Sequence, residues 1–283
     1  MILSMVIFGS VGIVVNYIPL SPAMIAGLRA LIGALVMAVV MILRKKGISR
    51  AAILKNLGWL LLSGVALSAN WILLFMSYDY TGSVAVSTVC YYMAPVIIML
   101  LSPLVLREKL TGLRLLCVLT AVAGVVLLSG LTLGTKGDLT GILLALGAAA
   151  LYAAVVLINK VMKRMPAQET TFFQLLVAAV VTLPYSLFVR HDTLVLTADS
   201  LLPILILGVV HTGLAYMLFF GAAGKLPAQS TALLSYLDPL LAVVLSALVL
   251  RQTLDAYQMI GAAMILGAAF VGEVFGSKKK RRR

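Results

Sequence analysis

Three ionisable side chains stand inside long apolar runs: Arg29, His211 and Asp238. An ionised arginine at the centre of a bilayer costs about 2.5–3.5 kcal/mol on insertion scales, so a charge at that depth calls for a partner or a use. Arg29 falls about eight residues into its run, or about 12 Å deep at helical rise. Its guanidinium could take an anionic group, pair with a carboxylate, or donate to carbonyls at a helix break. Asp238 precedes Pro239 and could accept a proton or an organic ammonium. The blander readings are a neutral carboxylic acid or an ion pair with Arg29. His211 is a candidate proton-sensitive group, set against the reading of a buried, hydrogen-bonded histidine.

Proline places two of these features in register. A proline inside a helix removes one N–H and disturbs the carbonyl about four residues earlier. Pro95 and Pro239 are therefore expected to break their helices and to free carbonyls at Tyr91 and Ser235. Asn70 and Trp71 stand at the middle of another apolar run. Tyr78, Tyr91, Tyr92, Tyr152, Tyr216 and Tyr236 add aromatic faces with polar tips, a lining suited to a partly apolar small molecule. The candidate binding set is Asn70, Trp71, Tyr92, His211, Tyr236 and Asp238, with Arg29 as electrostatic support and Pro95 and Pro239 as helix-break residues. Small residues at helical spacing, such as Ala26, Ala30, Ala34 and Ala38, or Ala145, Ala149 and Ala153, read as packing ridges.

The elements that carry these residues follow from composition. The 283 residues are 63% hydrophobic and 11% charged, with a mean hydropathy of +1.14. Soluble domains run near 25% charged. The apolar runs are about twenty residues long, which suits membrane-spanning helices rather than the alternating strands of a barrel. Spans are expected at about 2–18, 22–43, 57–77, 82–106, 112–131, 139–160, 168–189, 201–221, 228–250 and 256–275. The first lacks a basic leader and a clear cleavage site, and reads as a helix that stays. Cys90 and Cys117 fall inside spans and read as packing residues.

The net charge of +13 reads as a topology signal rather than as nucleic-acid binding. With the N-terminus in the cytoplasm, eighteen of the 22 Lys and Arg residues fall on the cytoplasmic side. Three fall outside, and Arg29 lies within a span. That asymmetry predicts both termini in the cytoplasm of a cell membrane.

The chain also repeats itself. Tyr92-Met93-Ala94-Pro95 aligns with Tyr236-Leu237-Asp238-Pro239, and Leu104 to Leu110 aligns with Leu248 to Leu254, at a constant offset of 144. Phe8-Gly9 faces Tyr152-Ala153 at the same offset. Each half holds five helices, an odd number, so the second half is expected to enter the membrane upside down. The expected fold is an all-α membrane protein of ten transmembrane helices in two inverted five-helix repeats. Residues 1–133 and 139–276 form the repeats, and 277–283 form a basic cytoplasmic tail. Gln174 takes the place of Arg29 in the second half.

Over essentially its whole length the chain resembles the EamA-type transporters of the drug/metabolite transporter superfamily. The resemblance is carried by Phe8-Gly9-Ser10, Ser21-Pro22 leading to Leu28-Arg29, Leu106 to Thr111, Gly208 to Phe220, and Ser235 to Pro239. It implies ten helices, a central cavity between the halves, and movement of small organic metabolites, often outward. The family usually carries Trp at the place of Phe8, and Glu at the places of Asp238 and Gln252. The expected function is thus a secondary exporter of small organic metabolites, such as amino acids or nucleobases, working by alternating access. Its partners would be the metabolite and the lipid bilayer, with protons as a candidate coupling ion, in a monomer or homodimer without cofactor. The alternative is a membrane-embedded enzyme acting on a lipid-linked substrate. The sequence offers it no His-x-x-x-His, no paired intramembrane carboxylates and no Walker motif.

Overall fold

In hydrocarbon the backbone has no water to bond, so an apolar run closes its hydrogen bonds within a helix. All regular structure among the described residues is accordingly helical. The structure, a computed structural model, describes residues 1–15, 17–43, 50–81, 87, 90–128, 139–162, 165–194, 197–250 and 256–276. The loops at 44–47 and 134–138, Lys163, Arg164, Arg251, Gln252 and the tail at 277–283 lie outside the described residues.

The first half contributes α1 (Ile2–Gly9), α2 (Val11–Val15), α3 (Pro22–Leu43), α4 (Arg50–Thr81), α5 (Ala94–Leu106) and α6 (Gly112–Leu128). The second half contributes α7 (Leu139–Val161), α8 (Ala167–Pro184), α9 (Ala198–Gly208), α10 (Ala215–Ala223), α11 (Ala228–Ser235), α12 (Leu237–Leu250) and α13 (Ala256–Gly276). Among the described residues, five helical stretches are long and apolar enough to cross a membrane: Pro22–Leu43, Arg50–Thr81, Leu139–Val161, Ala167–Val189 and Ser200–Ala223. Shorter apolar helices occupy Ile2–Val15, Ala94–Leu106, Gly112–Leu127 and Met259–Gly272.

The outside of the molecule is apolar, as a lipid-facing surface must be. On α3, Leu31, Leu35 and Val39 are exposed one turn apart, while Ala26, Ala30 and Ala34 are buried on the other face. That small-residue face allows α8 and α9 to approach closely: a Cβ on Gly27 would meet Leu183, and one on Gly208 would meet Ile32. Ala145, Ala149 and Ala153 of α7 are likewise fully buried.

Packing runs mainly between the halves. α3 lies on α8, α4 on α7, α5 on α7 and α11, α1 on α10 and α12, and α6 on α13. Exchanging the halves maps these pairings onto one another. α3 with α8 and α6 with α13 each map onto themselves. The pairing of α4 with α7 maps onto that of α10 with α1, and α5 with α7 onto α12 with α1.

Two helices break at matched places. Cys90 and Tyr91 are helical, Tyr92 and Met93 form a turn, and α5 resumes at Ala94. In the second half α11 stops at Ser235, Tyr236 turns, and α12 resumes at Leu237. The missing N–H of Pro95 and Pro239 near each restart accounts for the position of both breaks. Elsewhere the halves differ. α9 and α10 are joined by a π-helical stretch, Val209–Leu214, whereas α4 stays regular through its length.

Candidate functional site

The two breaks meet. The Tyr236 hydroxyl donates to the backbone carbonyl of Tyr92 at 3.0 Å, and the Tyr92 hydroxyl donates to the Asp238 carboxylate at 3.3 Å. The freed carbonyl that finds a partner is that of Tyr92, one residue beyond the Tyr91 expected from sequence. Around Asp238 the aromatic rings close in: Tyr91 lies 6.1 Å from Tyr92 and 6.0 Å from Tyr152, centroid to centroid. Tyr91, Tyr152 and Tyr216 are all within electrostatic reach of the carboxylate. Asp238, Tyr91, Tyr92 and Tyr152 lie deep among the helices, yet each is only half-buried from solvent.

A second polar corner is built on the π-helical stretch. Such a stretch widens one turn and frequently marks functional positions. Thr212 donates to the carbonyl of Leu207 at 2.9 Å, so its oxygen can accept from Arg29 Nε at 3.1 Å. The guanidinium also lies over the Trp71 ring, 5.3 Å from its centroid. Trp71 meets Tyr216 edge-on at 6.5 Å, and Tyr216 meets Phe8 at 5.5 Å. Tyr216 thus stands between the Arg29 corner and the Asp238 corner, within electrostatic reach of both. No ion pair joins Arg29 to Asp238 among the described residues, so the pairing that the sequence left open is replaced by Thr212 and Trp71.

His211 sits on the same stretch. Its Nε2 is 2.9 Å from Ser10 Oγ and its Nδ1 is 3.3 Å from the Ile206 carbonyl. Ser10 Oγ also donates to the Ile7 carbonyl at 2.8 Å. Both carbonyls only accept. A neutral imidazole with its proton on Nδ1 must accept from Ser10 at Nε2, and Ser10 then gives up Ile7. Only a doubly protonated ring satisfies all three contacts together. Ser10 itself is the interruption between α1 and α2.

The remaining predicted residues are more enclosed. Asn70 is fully buried. Its Nδ2 donates to the Ala148 carbonyl at 2.6 Å, its amide interacts with the Tyr91 hydroxyl, and its Oδ1 has no hydrogen-bond partner of good geometry. Tyr236 is fully buried, as a strut between the halves. Trp71 is 6% exposed. Gln174 is also buried and donates to Asn159 at 2.6 Å, away from the contacts of Arg29. Of the predicted set, Tyr92 and Asp238 form one corner, and Trp71, His211 and Arg29 form the other.

Sequence reasoning passed over the ties at the two ends. At one end Asp192 accepts from Ser21 and Ser186, each at 2.6 Å, and Arg190 pairs with Asp79 at 3.1 Å. At the other, Glu108 accepts from the N-terminal amides of α11, Ala228 at 2.9 Å and Gln229 at 3.4 Å. A left-handed Arg107, φ 55°, turns the chain so that Glu108 reaches them. Arg114 donates to the Gln229 side chain at 2.7 Å. In sequence Asp192, Arg190 and Arg114 read as turn formers or topology charges and Ser21, Arg107 and Glu108 as part of the resemblance, with no sign of these partners. Among the described residues no group of three or more His, Cys, Asp or Glu is placed to hold a metal.

Comparison with known proteins places this arrangement. The profile of the EamA-like transporter family matches twice, over residues 1–130 and 139–272. The chain is 29% identical to the uncharacterized transporter YxxF of Bacillus subtilis (strain 168) over 272 residues, 94% of this chain and 85% of the relative. It is 32% identical to the threonine/homoserine exporter RhtA of Salmonella typhimurium (strain SL1344) over 133 residues, 47% of this chain and 44% of that protein. A solved crystal structure superposes with a TM-score of 0.84 over 96% of this chain and 95% of that one, at 19% identity, a likeness of fold.

Proposed function

The chain belongs to the EamA-like transporter family, and from that premise we propose that it exports small organic metabolites by alternating access between two inverted five-helix repeats. It is a multi-pass membrane transporter and not an enzyme. The carrying observation is the contact between the two helix breaks, Tyr92 with Asp238 and Tyr236 with Tyr92. Interrupted helices at a repeat interface are where transporter sites form. The exchange symmetry of the packing supports a rocking of one half against the other. The repeats are residues 1–133 and 139–276, and the basic residues favour both termini in the cytoplasm.

The substrate site lies between the Asp238 and Arg29 corners. Asp238, Tyr92, Trp71 and Arg29 line it, Asn70 and Tyr236 hold its walls, and His211 borders it. Amino acids lead the candidate substrates, because RhtA, named a threonine/homoserine exporter, is alike over 47% of the chain. Protons couple to transport through Asp238 or through the three-way contact of His211. The test is reconstitution in proteoliposomes with radiolabelled threonine, homoserine and a wider set of metabolites. Transport that falls in Asp238→Asn, and a pH profile that changes in His211→Ala, are expected. If both variants keep the rate and the pH profile of the parent, the coupling scheme is wrong.

A further inference from the structure

We infer that Asp238 and the tyrosines around it form a subsite for an organic ammonium group. The inference rests on the transport-site reading above and adds the chemistry that the site selects. The carboxylate lies deep between the helices, and the one hydrogen bond described for it is that from Tyr92 at 3.3 Å, long for an O–H donor to a carboxylate. No ion pair engages it among the described residues, and Arg29 is turned toward Thr212 and Trp71. A deep carboxylate with spare acceptor capacity is suited to a cationic guest.

The surroundings favour an organic cation over a bare proton. Tyr91 and Tyr92 are set at 60° to each other and Tyr91 and Tyr152 at 48°, so the rings form walls rather than a stack. Aromatic faces arranged as walls attract an ammonium through their quadrupoles, more strongly when water is excluded. The rings reach this place from separate parts of the chain: Tyr91 and Tyr92 from the first break, Tyr152 from α7, and Tyr216 from α10. Tyr91, Tyr92 and Tyr152 are half-buried and Tyr216 is buried, so the rings shield the carboxylate's surroundings without fully enclosing them. The ligand class is therefore an organic ammonium, either the α-ammonium of an amino acid or the head of an amine. An amino acid would add a carboxylate, for which the guanidinium of Arg29 at the opposite corner supplies a complementary charge.

The test uses the full chain in lipid nanodiscs, with binding read by thermal stabilisation and calorimetry. The probes are the proteinogenic amino acids, tyramine, ethanolamine and choline. Each is paired with a form lacking the positive charge: the N-acetyl derivative, or 3,3-dimethylbutan-1-ol for choline. Probes that bind should lose affinity about tenfold or more when the charge is removed. Asp238→Asn should weaken the same probes about ten- to a hundredfold, and Asp238→Glu should retain binding. Tyr152→Leu should weaken them about two- to thirtyfold, the range of a cation held by an aromatic face. Binding by amino acids alone identifies the α-ammonium as the source, and binding by amines as well identifies a general ammonium site. If the partners lacking the positive charge bind as tightly as the probes themselves, the ammonium subsite is overturned while the metabolite site stands. If no probe binds in either form, both are overturned.

Discussion

Tyr92 and Tyr236 occupy the same register of the two halves, 144 residues apart, and each lies at a helix break, yet their hydroxyls do different work. Tyr236 is fully buried and spends its hydroxyl on the backbone of Tyr92. Tyr92 is half-buried and turns its hydroxyl to a carboxylate. The difference originates two residues on: Asp238 follows Tyr236, whereas the fully packed Ala94 follows Tyr92. Matching positions supply the scaffold, and the mismatch supplies the carboxylate on which the proposed ammonium subsite is built.

The comparison breaks most visibly in stability. Tyr236→Ala should cost about 3–5 kcal/mol, the scale for deleting a buried aromatic ring without collapse of the space. Tyr92→Ala should cost clearly less, because one side of its ring is already open. Equilibrium unfolding in mixed micelles measures both, and equal losses would mean that the two tyrosines are equivalent after all. In transport the order should invert. Asp238→Asn is expected to reduce flux more than tenfold with little change in unfolding, since the neutral amide still takes the Tyr92 hydrogen bond. A normal flux would remove the asymmetry from the mechanism.

Removing single hydroxyls sharpens the same contrast. Tyr236→Phe leaves the Tyr92 carbonyl without its donor in a buried place, at a cost of about 1–3 kcal/mol in stability. Tyr92→Phe should leave stability within about 1 kcal/mol, while altering ligand affinity and flux severalfold. Thermal unfolding beside flux for each variant separates strut from lining. A Tyr236→Phe variant that unfolds like the parent would show that the 3.0 Å bond carries little.

Much of this was readable from residue types. Arithmetic on Tyr-x-x-Pro located both breaks, because the missing amide of a proline acts locally and leaves a mark in sequence. Asp238 stood out because a carboxylate in an apolar run is costly without a partner or a use. Arg29 was found by the same logic, but its partner was not. Thr212 becomes available only through the π-helical stretch at Val209–Leu214, and nothing in Val-Val-His-Thr-Gly-Leu distinguishes that stretch from a regular helix. The division between Tyr236 as strut and Tyr92 as lining was equally hidden, since both have the same type and register. Only the packing of α5, α6, α11, α12 and α13 into one core decides which ring is covered: Tyr236 lies within that core and Tyr92 at its edge. The end ties at Asp192 and Glu108 depend on loops brought together from distant parts of the chain, for which hydrophobic periodicity has no signal.

The smallest effect concerns whether bridging the halves is itself stabilising, or only bridging them in a dry place. Arg190 and Asp79 also join the second half to the first, at 3.1 Å, but their side chains are 30% and 60% exposed. Solvent screening and the entropy of two long side chains hold such pairs to about 0–1 kcal/mol. Asp79→Asn should therefore shift unfolding by no more than about 0.5 kcal/mol, and the shift should vanish in high salt. Asp192, at 14% side-chain exposure, accepts two short bonds from Ser21 and Ser186 and so joins the halves in a drier place. Asp192→Asn should cost more, about 1–3 kcal/mol, and should respond little to salt. An Asp79→Asn loss as large as that of Asp192→Asn would mean that the linkage between halves matters irrespective of burial, and the contrast between Tyr92 and Tyr236 would then need a cause other than how deeply each ring is enclosed.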